Sequence, residues 1–196
     1  MTDATTDLQP LITSTYVALA DLLAALPAGK WDTASLCEGW RVREVVAHMT
    51  MPARYTEEAF MAELREDGFD FTRLPNRLAS RDAPLPTTEL VANLRDPGLH
   101  EWTPPGGGQS GALNHVVIHG LDITVPMGAR RCATDDAMVA VLDDLTDGGV
   151  HAHFGVDIES HTFDASDIDW SYGTGPPWRG TAEHIALHLT GRRVPA

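Results

Sequence analysis

The 196-residue chain is 43% hydrophobic and 21% charged and carries a formal net charge of −14. That is the composition of an ordinary soluble globular protein, with one substantial core or one domain plus a smaller appendage. The charge weighs against nucleic acid and anionic membrane as partners, because both demand basic surface.

Residues 7–26 read as an amphipathic helix, with Leu8, Leu11, Ile12, Leu19, Leu22, Leu23 and Leu26 on one face. Pro10 fits its first turn, and Pro27 with Gly29 ends it. A loop from Lys30 to Gly39 holds Trp31 and Cys37. A second helix is expected to begin near Trp40, with Val42, Val45, Val46 and Met49 as its stripe and His48 beside it. Pro52 interrupts this helix before the pattern resumes through Tyr55, Phe60, Met61 and Leu64. Residues 67–86 read as an irregular connection with at most a short helix. Thr87–Leu94 is a short helix closed by Asp96-Pro97-Gly98. Thr103–Ser110 is a glycine-rich loop leading into a helix that carries His115 and His119. Residues 134–147 form another amphipathic helix. Ser160–Ala165 and Ile168–Tyr172 have strand-like content, closed by Gly173, Gly175, Pro176 and Pro177, and a last helix spans Thr181–Thr190. The expected architecture is mainly α: a helical bundle over residues 1–148 and a small α+β appendage over 149–196.

His115 and His119 stand four residues apart, which places both imidazoles on one face of a helix, one turn apart. Asp122 falls within about 60° of both at the helical repeat. Two neutral nitrogen donors on a rigid element are what a metal ion needs, and a half-exposed polar face is the plainer alternative. His184 and His188 repeat the spacing on the last helix, where a solvated face is the better reading. His151 and His153 share a face only in an extended segment. A catalytic metal needs a third donor, and His48, on a different helix beside an aliphatic stripe, is the obvious one.

The segment Trp31…Ser35-Leu36-Cys37-Glu38-Gly39-Trp40-Arg41-Val42-Arg43-Glu44-Val45-Val46-Ala47-His48-Met49 resembles the start of the mycothiol-dependent maleylpyruvate isomerase-like proteins. These belong to the DinB-like superfamily of metal-binding four-helix bundles. His115–Asp122 followed by Pro126-Met127-Gly128 is similar to that family's second ligand helix, and the stretch from Asp164 to Arg192 is similar to its small C-terminal domain. The resemblance implies a DinB-like four-helix bundle in which His48, His115 and His119 are the metal ligands, with a fourth position left for water or thiolate. One departure stands out: the isomerase is expected to offer a glutamate where this chain has His115. Imidazole in place of carboxylate removes a negative charge, which strengthens the metal as a Lewis acid and weighs against maleylpyruvate itself as substrate.

The function so implied is that of a metal- and thiol-dependent isomerase or S-transferase. A divalent ion (zinc by default, nickel or iron as alternatives) would hold mycothiol or a similar thiol as nucleophile. Asp122 and Glu44 are candidates for orienting a ligand imidazole or acting as base. Arg179 and Arg192 are candidates for clamping a carboxylate of substrate or thiol. The alternatives are a metal-dependent hydrolase and a non-catalytic metal-binding bundle. Expected partners are a small-molecule thiol and an electrophilic substrate, with a homodimer left open. Cys37 and Cys132 are expected to be reduced, because a core of this size needs no disulfide. The polar N-terminus and the lack of any membrane-length apolar run predict a cytoplasmic protein. Thirteen arginines to one lysine reflect GC-rich coding, in line with an actinobacterial source.

Overall fold

The structure, a computed structural model, describes residues 6–70, 72–147, 154–156 and 158–193. Helix α1 (Gln9–Ala24) is followed by a short 3-10 turn, Ala28–Asp32. Then come α2 (Val42–Met49), α3 (Met51–Arg54), α4 (Glu57–Glu66), α5 (Arg73–Asp82), α6 (Thr87–Leu94) and α7 (Pro97–Glu101). The long α8 (Gly108–Thr124) and α9 (Asp135–Thr146) complete the helical part. Strands β1 (Thr162–Ala165), β2 (Ser171–Tyr172) and β3 (Pro177–Gly180) precede the last helix, α10 (Ala182–Leu189). The mainly α architecture with a small α+β tail is as expected, and among the described residues no helix is long and apolar enough to cross a membrane.

Helix α8 is the axis of the fold, packing against α1, α2, α9 and α10. It buries Leu113, Val116, Val117, Ile118, Leu121 and Ile123, each contributing about 1.5–3 kcal/mol of stabilisation. A helix apolar on nearly every side must sit inside the molecule, and its narrow polar strip then faces whichever gap its neighbours leave. That strip carries His115 and His119.

The elements depart from the sequence expectations in four places. Residues 73–82 form a full helix, α5, packed tightly on α2. Only Leu74, Leu78 and Ala79 are buried along it, too few for the usual apolar periodicity. Arg77 bonded to Glu63 (2.7 Å) and Asp67 (2.8 Å), with Arg81 bonded to Glu63 (2.7 Å), ties it to the α4 region. Pro97 opens α7 instead of closing α6: the Asp96 carboxylate caps the Gly98 N–H at 2.7 Å, and a proline in the first turn forfeits no intrahelical bond. The 103–110 loop ends at Gly107, so Gln109 and Ser110 already belong to α8. Finally, Pro177–Gly180 is a third strand, paired parallel to β1 in the order β2-β1-β3. Its leading proline sits at a sheet edge, where the missing donor costs nothing.

The tail shares one continuous core with the bundle, through Phe163, Trp170, Ile185 and Leu189. Trp170 Nε1–H also donates to Asp143 on α9 at 2.8 Å. Gly173, at φ 92°, makes the turn out of β2, where an added Cβ would lie 2.2 Å from the His161 carbonyl oxygen. Only glycine fits there.

Candidate metal centre

The loop before α2 is a tight structure of its own. Ser35 N–H and the Ser35 hydroxyl both donate to the Trp40 carbonyl, at 2.9 and 2.8 Å. Gly39, at φ 77°, supplies the left-handed turn between them. Leu36 N–H donates to the Asp122 carbonyl on α8 at 3.0 Å, which docks the loop on that helix. Arg41 N–H then donates to Glu44 Oε2 at 2.9 Å and starts α2 with a capping box. His48 lies one turn further on, in the last turn of α2.

Packing of α2 against α8 brings His48 Nε2 to 3.4 Å from His115 Nε2. The three imidazole centroids of His48, His115 and His119 lie 5.3, 4.9 and 4.8 Å apart, and their donor nitrogens all fall within 4.8 Å of one another. Two indoles flank the group, Trp40 against His48 at 5.2 Å and Trp102 against His115 at 5.5 Å. Trp40 is itself held from α5, its Nε1–H donating to Asn76 Oδ1 at 2.9 Å. All three histidines are partly exposed, so the group opens to solvent on one side.

Behind His119 sits Asp122, fully buried. An ionised carboxylate only accepts, so the 3.0 Å contact from His119 Nδ1 requires the proton on Nδ1 and leaves Nε2 as the free donor. The Cys37 thiol donates to the same oxygen, Oδ2, at 3.1 Å. Arg192 completes the shell, its Nε donating to Oδ1 and its Nη2 to Oδ2, both at 3.2 Å. Burial alone would raise the Asp122 pKa, but the bonds and charges of His119 and Arg192 outweigh it and bring the carboxyl to about 2. Burial, reinforced by the Asp122 charge, pushes the Cys37 thiol well up, so Cys37 is a neutral donor at physiological pH.

The donor set fits a divalent ion. Burial lowers His48 to about 3, helped by the nearby His119, and holds His115 well below its ordinary range. Both are therefore neutral, which is the form that binds metal. Their Nε2 atoms face each other, and the Nδ1 atom of each is buried without a hydrogen-bond partner. Two facing imidazole nitrogens with no other protein partner are satisfied together by a cation between them.

The same shift makes stability pH-dependent. With a folded pKa of about 3 against an ordinary 6.5, His48 takes up a proton in the unfolded chain first. Stability is therefore greatest above pH 6.5 and falls as pH drops through that value toward 3. Urea unfolding of metal-free protein is expected to lose up to about 1.4 kcal/mol per pH unit from this group below pH 6. A His48→Gln variant should show the shallower slope.

The remaining sequence candidates lie elsewhere. Glu44 does not reach His48. It is held by Arg41 (Nη2 to Oε1 at 2.5 Å), whose bonds outweigh burial and keep its carboxyl below the usual range. Its place is the helix start, and the roles of orienting His48 or acting as base do not survive. Arg179 is largely exposed on β3, pairs with Asp164 at 3.3 Å and makes no polar contact with the cluster. Arg192 does reach the site, but its guanidinium is spent on Asp122 and not turned toward a ligand. His184 and His188 are exposed, with the His188 ring stacked on Trp178 at 5.1 Å, as a solvated face requires. His151 and His153 lie outside the described residues. Cys37 was not singled out for the site from sequence. Its neighbours in the turn before Trp40 were the only signal. Both cysteines are free. A broad depression of about 910 Å³ beside the acidic face of α9 contains none of these groups.

Comparison with known proteins agrees with this arrangement. Residues 14–100 match the mycothiol maleylpyruvate isomerase N-terminal domain family. No curated protein matches significantly. Two solved structures do: the mycothiol-dependent maleylpyruvate isomerase, at 18% identity and a TM-score of 0.55, and a histidine-to-alanine mutant described under the same name, at 15% and 0.57. Each comparison covers 95% of this chain and 88% of the other. The chain thus has the fold of the mycothiol-dependent maleylpyruvate isomerase, and its residues 14–100 belong to that enzyme's N-terminal domain family.

Proposed function

We propose that the protein is a metal-dependent enzyme that uses a low-molecular-weight thiol, mycothiol or a close relative, as its nucleophile. The reaction is isomerisation or S-transfer at an electrophilic double bond. One observation carries this reading: three imidazoles from two helices converge on a solvent-facing edge, with His48 and His115 held neutral. The fold shared with a mycothiol-dependent isomerase supports the choice of thiol. His48, His115 and His119 would hold the ion. A divalent ion so held supplies the Lewis acidity that lets a thiol ionise at neutral pH.

The chain's own groups shape the rest. Asp122 keeps the His119 proton on Nδ1, so that Nε2 stays available. Trp40 and Trp102 pack against the ligand rings and limit their movement. Cys37, bonded to Asp122 as a neutral thiol, does not compete as a nucleophile. The attacking sulfur then comes from the added thiol. Its addition converts the double bond to a single bond that rotates; departure of the sulfur restores the alkene, and retention with protonation gives the S-transfer product.

The test is turnover of conjugated cis-enoic acids and related electrophiles by zinc-loaded protein, with and without mycothiol. The expected result is geometric isomerisation or thiol consumption that requires both metal and thiol. Metal-dependent ester or amide hydrolysis that ignores every thiol offered would sink this reading.

A further inference from the structure

Three donors stand on the far side of His119: Cys37 Sγ, His119 Nδ1 and an oxygen of Asp122, all within 4.8 Å of one another. The Sγ–Nδ1 distance is 3.9 Å, Sγ–Oδ2 is 3.1 Å and Nδ1–Oδ2 is 3.0 Å. Thiol, imidazole and carboxylate at such spacing are a recognisable metal-ligand set, and softer than the three-histidine group. The two sets share one residue, His119, through opposite ring nitrogens. An ion bound to Nδ1 would displace its proton and its bond to Asp122, freeing the ring to turn away from His48 and His115.

Something positive already occupies this place. The Arg192 guanidinium meets both oxygens of Asp122 at 3.2 Å, and a third hydrogen bond, from Nη1 to the Thr190 carbonyl at 3.1 Å, fixes it. Arg192 follows α10, so its charge is delivered by the C-terminal part of the chain. A second cation brought against the same carboxylate meets that fixed charge at short range in a partly buried setting, where repulsion is poorly screened.

We propose that Cys37, His119 and Asp122 form a second, thiolate-containing metal site for which the Arg192 guanidinium is the resident cation. By filling it, Arg192 reserves His119 Nε2 for the three-histidine centre. Arg192 is thus a positioning residue, acting on the metal through Asp122. The inference rests on the three-histidine reading for its consequence, but the second site has a signature of its own.

The experiment uses cobalt(II) as probe in the full-length protein, without added thiol. Binding at the second site would form a Co–S bond with release of the Cys37 proton to solvent, and so give a thiolate-to-cobalt charge-transfer band in the near ultraviolet. Wild-type protein is expected to bind cobalt without this band, because its ligands are nitrogens. Arg192→Gln, which keeps hydrogen-bonding capacity but removes the charge, is expected to show the band, and Arg192→Gln with Cys37→Ser to lose it. Arg192→Lys, which restores the charge, should again lack it. Circular dichroism establishes that each variant is folded, and Arg192→Met replaces the glutamine variant should that one fail to fold. A folded, cobalt-loaded, charge-removed variant without a Cys37-dependent band overturns the proposal, as does the band in wild type or Arg192→Lys. Failure of wild type to bind cobalt at all would instead count against the three-histidine centre.

Discussion

Replacing His48 with alanine is expected to lower divalent-metal affinity by more than about a hundredfold while the protein stays folded. Loss of an outer partner to a metal-bound histidine typically costs about 10–100-fold, and loss of a ligand must exceed that. His48 is also the one donor supplied by α2, since His115 and His119 both ride on α8. Without it the remaining pair offers two nitrogens from one helix, and nothing opposes them across the gap. The fold should tolerate the change, because His48 Nδ1 is buried with no partner and its removal breaks no hydrogen bond to another element. Competition titration with a chromophoric chelator, at neutral pH and on protein purified without affinity-tag metal, gives the affinity directly. His119→Ala should behave alike. Unchanged metal content in both variants would end the three-histidine assignment.

Asp122→Asn should have the largest effect on stability of any substitution in the site. The carboxylate accepts from His119, Cys37 and Arg192 while fully buried, so every polar neighbour it has is a donor. An amide in its place turns one acceptor into a fourth donor and leaves the Arg192 charge without a counterion. Breaking a buried pair in this way costs about 3–5 kcal/mol. Because the Arg192 side chain is 19% exposed, the lower end is expected. For a chain of this size that is on the order of 10 °C in the midpoint of thermal unfolding. Metal-free protein must be compared with metal-free protein, because bound metal adds stability of its own. Combining Asp122→Asn with Arg192→Gln removes the stranded charge, and the double variant should be more stable than Asp122→Asn alone.

Much of the site was legible in the sequence, because helical spacing is geometry. The four-residue interval between His115 and His119 places them on one face of any helix, and Asp122 follows on the same side at three residues. His48 was reachable only through the motif that runs from Trp31 to Met49. What escaped notice depends on contacts far apart in the chain. Cys37 joins the site because the Leu36 N–H meets the Asp122 carbonyl, a link no local pattern encodes. Arg192 looked like a ligand clamp because an arginine near a site usually faces outward. Its actual partner is 70 residues away. Helix α5 was obscured for a different reason: its stability comes from ion pairs with Glu63 and Asp67 and from three small buried contacts, while its composition is that of a loop. Strand β3 was hidden by the proline that begins it.

The long reach of these contacts also sets the order in which the protein can be made. His48 and His115 are 67 residues apart, Cys37 and Asp122 are 85 apart, and Arg192 lies another 70 beyond Asp122. As synthesis proceeds from the N-terminus, α1 and α2 emerge long before α8 can give them something to pack on. The three histidines first meet when α8 is out, at a time when the Asp122 carboxylate still lacks its guanidinium. A nascent chain halted between residues 124 and 192 therefore displays cysteine, histidine and aspartate with no arginine among them. Cytosolic metal would meet the sulfur-containing set during that interval, and the guanidinium that excludes it arrives only with the final turn of the fold.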